Sequence, residues 1–148
     1  MSPLARDVVL ASIHHLFVFS LVAVLFAELV VAGGVPDAAR LRQLGRLDGA
    51  YGALAGGILI AGFVRAAYGA KGMAYYAGNP VFWAKIGVFL IVGLISIVPT
   101  VRLVRWRKAG TLPDTAALRS LRRWIAYEVA LLPLIPILAV VMARGIGY

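Results

Sequence analysis

The chain has 148 residues, of which 62% are hydrophobic and 14% charged, with a mean hydropathy of +0.92 and a formal net charge of +9. Such a chain is too apolar for a water-soluble domain, and since a spanning helix uses roughly 20 apolar residues, four such runs leave no room for a second domain. The positive charge lies beside apolar runs rather than on a soluble basic face, which points to a lipid bilayer and away from nucleic acid as a partner, and the lack of cysteine excludes disulfides, thiolate metal sites and iron–sulfur clusters.

The first apolar run, Val8 to Ala32, is of spanning length and carries no small-residue cleavage pattern at its end, so a membrane helix is expected rather than a signal peptide. Gly33-Gly34-Val35-Pro36-Asp37 stops it, and the arginine and leucine spacing from Ala38 to Leu47 predicts a short interfacial helix. The second span runs from Gly49 to Ala70 and carries Gly52, Gly56, Gly57 and Gly62, whose small size permits close helix approach within the bundle or at a dimer seam. Gly78-Asn79-Pro80 is a turn that places a proline at the first position of the third span, Pro80 to Val104. A polar loop from Arg105 to Pro113 follows, and Asp114 or Thr115 is placed to cap the helix leading into the fourth span, Trp124 to Ile146, which Pro133 and Pro136 bend. The expected fold is all-α, a single four-helix transmembrane bundle.

Ten Lys and Arg (Arg40, Arg42, Arg46, Arg102, Arg105, Arg107, Lys108, Arg119, Arg122 and Arg123) flank the first and third loops. The positive-inside rule therefore puts those loops in the cytoplasm and both termini outside, as in a multi-pass protein of a bacterial inner membrane. Trp106 and Trp124 on one side, and Tyr68, Tyr75, Tyr76 and Trp83 on the other, form aromatic belts.

An Asp, Lys or Arg at the centre of a spanning helix costs at least ~2.5–3.5 kcal/mol on insertion scales, so its presence asks for a reason. Two groups of such residues are expected. Towards the outside lie His14, His15, Arg65 and Lys85; towards the inside lie Glu28, Asp48 with Tyr51, and Glu128. At about 100° per residue, His14, Leu21, Leu25 and Glu28 share one helix face, while His15 points away. Lys85, Val92, Ser96 and Pro99 share another, and Glu128 and Met142 a third.

Imidazole at His14 or His15 suits a haem ligand or a proton carrier, and equally a hydrogen bond to a neighbouring helix. The chain has only these 2 histidines, so a haem b would take its second ligand from Met142, Lys85 or another subunit, or keep an open position. Lys85 and Arg65 suit an anionic group such as a propionate or a quinone oxygen, with snorkelling to the interface as the plain alternative for Lys85. Glu28 and Glu128 suit either ion pairs with Arg46 or Arg123, or the handling of protons or cations together with Asp48 and Tyr51. No metal other than a haem iron is expected. Walker loops, zinc-protease helices and serine nucleophile elbows are absent.

Ala70-Lys71-Gly72-Met73-Ala74-Tyr75-Tyr76, Asn79-Pro80-Val81-Phe82-Trp83-Ala84-Lys85 and Ser96-Ile97-Val98-Pro99-Thr100-Val101-Arg102, together with His14-His15, Glu28, Arg46-Leu47-Asp48, Tyr51 and Met142-Ala143-Arg144-Gly145, resemble a bacterial family of small predicted membrane proteins, domain of unknown function 2214. The layout is also similar to HemJ-type protoporphyrinogen oxidase and to copper-resistance D membrane proteins. An early histidine and the Trp83-Ala84-Lys85 pattern carry the HemJ likeness, which implies haem and porphyrinogen oxidation. The expected functions are thus a b-type haem-binding redox protein, a non-enzymatic accessory or assembly subunit of a larger membrane complex, or a proton-coupled or metal-ion transport element. Transport by so small a bundle implies a homo-oligomer or a larger complex.

Overall fold

A computed structural model describes residues 2–69 and 71–147. Its helices are α1 (Pro3–Val31), α2 (Ala38–Tyr68), α3 (Gly72–Ala77), α4 (Pro80–Ala109), α5 (Thr115–Leu131) and α6 (Leu134–Ala143). Four segments are long and apolar enough to cross a bilayer: Leu4–Val31, Ala38–Tyr68, Pro80–Ala109, and Thr115–Ala143, the last formed by α5 and α6 together. The all-helical architecture agrees with the sequence expectation. The end of the second span expected at Ala70 lies outside the described residues.

Local chemistry fixes where each long helix starts. A side-chain oxygen of Ser2, Asp37, Asn79 or Asp114 accepts from a backbone N–H of the first turn of α1, α2, α4 and α5, satisfying one of the donors that a helix start leaves unpaired. Gly110, with φ 63°, ends α4 in the left-handed conformation that favours glycine.

Two boundaries differ from the sequence expectation. The segment from Ala38 to Leu47 is no separate interfacial helix: it continues without a break into the second span, because Asp37 caps it and no proline interrupts the backbone up to Tyr68. Likewise α4 runs past Val104 to Ala109, so Arg105 is helical and Arg107 and Lys108 sit in the last turn, where positive charge meets the negative end of the helix dipole. At 31 and 30 residues, α2 and α4 exceed the hydrocarbon thickness, and their arginine-rich ends extend beyond it.

Pro133 ends α5, and α6 restarts at Leu134. The missing proline N–H and the ring clash with the preceding turn account for the break. In packing, α1 lies along α2, α2 packs against α4, α4 carries both α5 and α6, and α5 returns to α1. Leu25, Leu44, Leu103, Leu121 and Ile125, each at most 1% exposed, form the core near the first and third loops. Leu16, Phe19, Ile60 and Leu94, each at least 65% exposed, face outward as a lipid-contacting surface requires.

Candidate functional site

The helical stripe from His14 to Glu28 does turn inward at its lower end: Leu21, Leu25 and Glu28 are 2%, 0% and 2% exposed. Glu28 meets residues from two other helices there. Asp48 and Glu128 lie within its electrostatic reach, and Tyr51 lies within that of both glutamates. Glu128, on α5, is 1% exposed and hydrogen-bonds with the Tyr51 hydroxyl. From α4, the Thr100 hydroxyl donates to Asp48 Oδ1 at 2.6 Å, and Ser96 lies beside Tyr51 while its own hydroxyl donates to the Gly93 carbonyl at 2.7 Å. Three carboxylates, a phenol and two hydroxyls from four helices thus converge at the loop end of the bundle.

The charge balance of this cluster is unusual. Oε1 of Glu28 and Oε1 of Glu128 are buried without a hydrogen-bond partner. Arg107, whose side chain lies over Gly45, reaches Asp48 electrostatically, but among the described residues neither glutamate forms an ion pair. Arg46 and Arg123, the partners the sequence suggested, point to the exposed surface instead. Their helix faces lie opposite the seam: Leu44 and Ile125, two residues away on the same helices, are the ones that fill it. The three carboxylates do not make a chelate, since among the described residues no group of three or more His, Cys, Asp or Glu is placed to hold a metal ion.

Above the cluster is a cavity of about 90 Å³ lined by residues of α1, α2, α4 and α5, with Tyr51, Ser96 and Thr100 supplying its polar wall. Gly52 and Gly93 face it from α2 and α4, and a Cβ added at either would meet nothing within 4 Å. Phe89 lines it from α4, one turn beyond Lys85.

The second group also assembles, at the end of the bundle that bears the termini. His14, Arg65 and Lys85, from α1, α2 and α4, lie within electrostatic reach of one another. Asp7 pairs with Arg65 at 3.9 Å. His14 is half-buried against α2: it hydrogen-bonds to the Ile58 carbonyl, and a methyl at Gly62 would lie 3.3 Å from its Cε1. His14 Nδ1 and Arg65 Nε are buried without a hydrogen-bond partner. His15 is exposed on the lipid-facing side, with its Nδ1 2.6 Å from the Ala11 carbonyl of its own helix. Met142 is half-buried on α6, beyond the break at Pro133 that separates it from Glu128 on α5.

A family model described as a predicted membrane protein (DUF2214) matches residues 6–147. The chain belongs to this family. The match takes in every residue of both clusters and, except for the first two residues of the first, the four apolar segments. No curated protein and no solved structure matches the chain.

Sequence reasoning missed three members of the site. Thr100 was passed over although it stands one turn from Ser96 on the same face, and its partner Asp48 is 52 residues away, a pairing that only the register of α2 against α4 decides. Gly93 carries no signal in the sequence, yet with Gly52, which is expected at a close-packed seam, it borders open space. Asp7 carried no signal in the sequence as a partner for Arg65.

Proposed function

We propose that this family member is a proton-handling element of a bacterial inner membrane, part of a proton-coupled transport system, in which Glu28 and Glu128 carry the proton. One observation supports the reading: two carboxyl groups from separate helices, 2% and 1% exposed, each keep an oxygen without a partner and, among the described residues, form no ion pair. An unsatisfied buried polar group costs about 1–3 kcal/mol, and ionisable groups inside a bundle mark ion and proton pathways more often than structure. Tyr51 donates to Glu128 and Thr100 to Asp48, so one carboxyl of the trio is positioned by the phenol and another is held by the hydroxyl. With three carboxyl groups close together and no cation at the glutamates, loading of a proton on one of them relieves repulsion within the trio.

The charge pattern of the loops supports an orientation with the carboxylate end towards the cytoplasm and both termini outside. Four helices enclose only a narrow interior, so a complete transport path is built by a homo-oligomer or with a larger membrane complex. The test is reconstitution into proteoliposomes with a trapped pH-sensitive dye under an imposed potential. Proton uptake by the wild-type chain, lost in Glu28→Gln and Glu128→Gln, supports the reading. Equal uptake by wild-type and variant proteins would sink it.

A second reading, a b-type haem-binding redox protein, is favoured by the assembly of His14, Arg65 and Lys85 around orphaned His14 Nδ1 and Arg65 Nε. The cations fit propionates, and a bound haem would supply one-electron chemistry. Imidazole access is the weaker part of the fit: His14 Nδ1 packs towards Gly62, so His15, on the lipid-facing surface, is the ring with space beside it, between copies of the chain. An optical spectrum of protein purified from haem-replete cells decides this reading: a Soret band that His15→Ala abolishes supports it, and a colourless folded protein removes it.

A further inference from the structure

Resting on the proton-carrying role of the carboxyl trio, we infer that the cavity between α2 and α4 is a hydrated chamber that delivers protons to Glu128 through Tyr51. Gly52 and Gly93 hold the chamber open, and Phe89 closes it towards Lys85.

Size permits water. The cavity measures about 90 Å³, and a single water needs only ~10–15 Å³ of such space. The chemistry of the wall is more specific. Thr100 spends its proton on Asp48, Tyr51 on Glu128, and Ser96 on the Gly93 carbonyl or the Tyr51 oxygen beside it, so the hydroxyl oxygens of the wall present lone pairs to the chamber and no free proton. A wall of acceptors suits water molecules that donate, and a hydrated proton above all. Transfer then balances in one step: Tyr51 gives its hydroxyl proton to the Glu128 carboxylate while its oxygen takes one from a hydrated proton in the chamber, so that the hydronium becomes water, the phenol is regenerated and Glu128 becomes a neutral carboxylic acid.

The glycines set the size of the chamber. A Cβ at Gly52 or Gly93 meets no atom within 4 Å, so alanine there occupies cavity space without pushing on the helices. Beyond the chamber, Phe89 lies one turn short of Lys85, and Leu21 lines the opposite wall from α1. These apolar side chains separate the chamber from His14, Arg65 and Lys85, where the positive charge of Arg65 and Lys85 repels a proton arriving from the chamber.

The test uses the full chain with the substitutions Gly52→Ala and Gly93→Ala together, and Gly87→Ala as a control that also meets nothing within 4 Å but does not border the cavity. Two quantities are measured. Hydroxyl-radical labelling of Tyr51, which is only 5% exposed, reports internal water. Proton uptake in proteoliposomes reports delivery. Tyr51 is expected to be labelled in the wild-type protein and in Gly87→Ala and protected in the double variant, with uptake falling by about tenfold, as the loss of one hydrogen-bonded link would cause. An unlabelled Tyr51 in the wild-type protein, or a folded double variant that is labelled and conducts normally, would overturn the inference. If labelling behaves as expected while Glu28→Gln and Glu128→Gln leave proton movement unchanged, the chamber stands as a hydrated site and delivery to Glu128 falls with the proton-carrying role.

Discussion

Glu28→Leu should make the protein more stable, not less. Glu28 is 2% exposed, its Oε1 has no partner, and it adjoins the fully buried Leu25 and the 2% exposed Ala32. Leucine fills nearly the same volume, removes a buried unsatisfied group that costs about 1–3 kcal/mol, and adds apolar contact in the seam between α1 and α5. A gain of roughly 1–3 kcal/mol is therefore expected, within the range seen when buried charged groups give way to well-packed apolar ones. Glu28→Gln keeps a polar end in the same place and should show no such gain. The assay is reversible unfolding in mixed micelles of a neutral detergent and dodecyl sulfate, followed by tryptophan fluorescence. Had Glu28 been tied to Arg46 or Arg123, removing it would strand a buried partner and cost about 3–5 kcal/mol. A loss of that size would refute the account of Glu28 as an unpaired functional carboxyl.

Other outcomes follow from the same structure. Leu121→Ala, at a side chain with no exposed surface, should cost about 2–5 kcal/mol in the same unfolding assay, as buried leucine truncations do. Thr100→Val should cost about 1–3 kcal/mol by stranding Asp48 Oδ1, and Thr100→Ser should restore most of it, because serine keeps the 2.6 Å bond. Asp114→Ala removes the acceptor for the Ala117 N–H and should destabilise α5 by about 1 kcal/mol, with Asp114→Asn recovering the loss. Pro133→Ala restores a backbone donor at the break between α5 and α6, and amide hydrogen exchange across residues 131–136 should slow in consequence.

What the sequence made legible was governed by helix continuity. The stripe from His14 through Leu21 and Leu25 to Glu28 lies on an uninterrupted 29-residue helix, so a fixed angle per residue placed Glu28 in the interior correctly. Glu128 and Met142, read as one stripe, stand on either side of the helix break at Pro133, the first buried and the second half-buried. Position along each span also orders the residues by level, with Glu28, Asp48, Tyr51 and Glu128 near one another and His14, Arg65 and Lys85 near one another, whereas His15 faces away from its group. Partners were not readable. Arg46 and Arg123 stand at suitable depth for Glu28 and Glu128, but rotation about α2 and α5 turns them outward, and Leu44 and Ile125 take the seam. The bond from Thr100 to Asp48 and the cavity beside it depend on how α2 crosses α4, which composition and spacing do not encode. The start of α2 shows the opposite error: a change from charged to apolar composition near Asp48 suggested a helix boundary, although nothing in the backbone breaks there.

The most direct test of the central claim is infrared difference spectroscopy of the reconstituted protein during a pH titration, with wild-type, Glu28→Gln and Glu128→Gln chains compared in the carboxylic-acid carbonyl region. The account predicts a protonated-carboxyl band that appears and disappears reversibly in the wild-type protein and is lost or halved in each variant. A wild-type spectrum without such a band, or one that both variants leave unchanged, would contradict it.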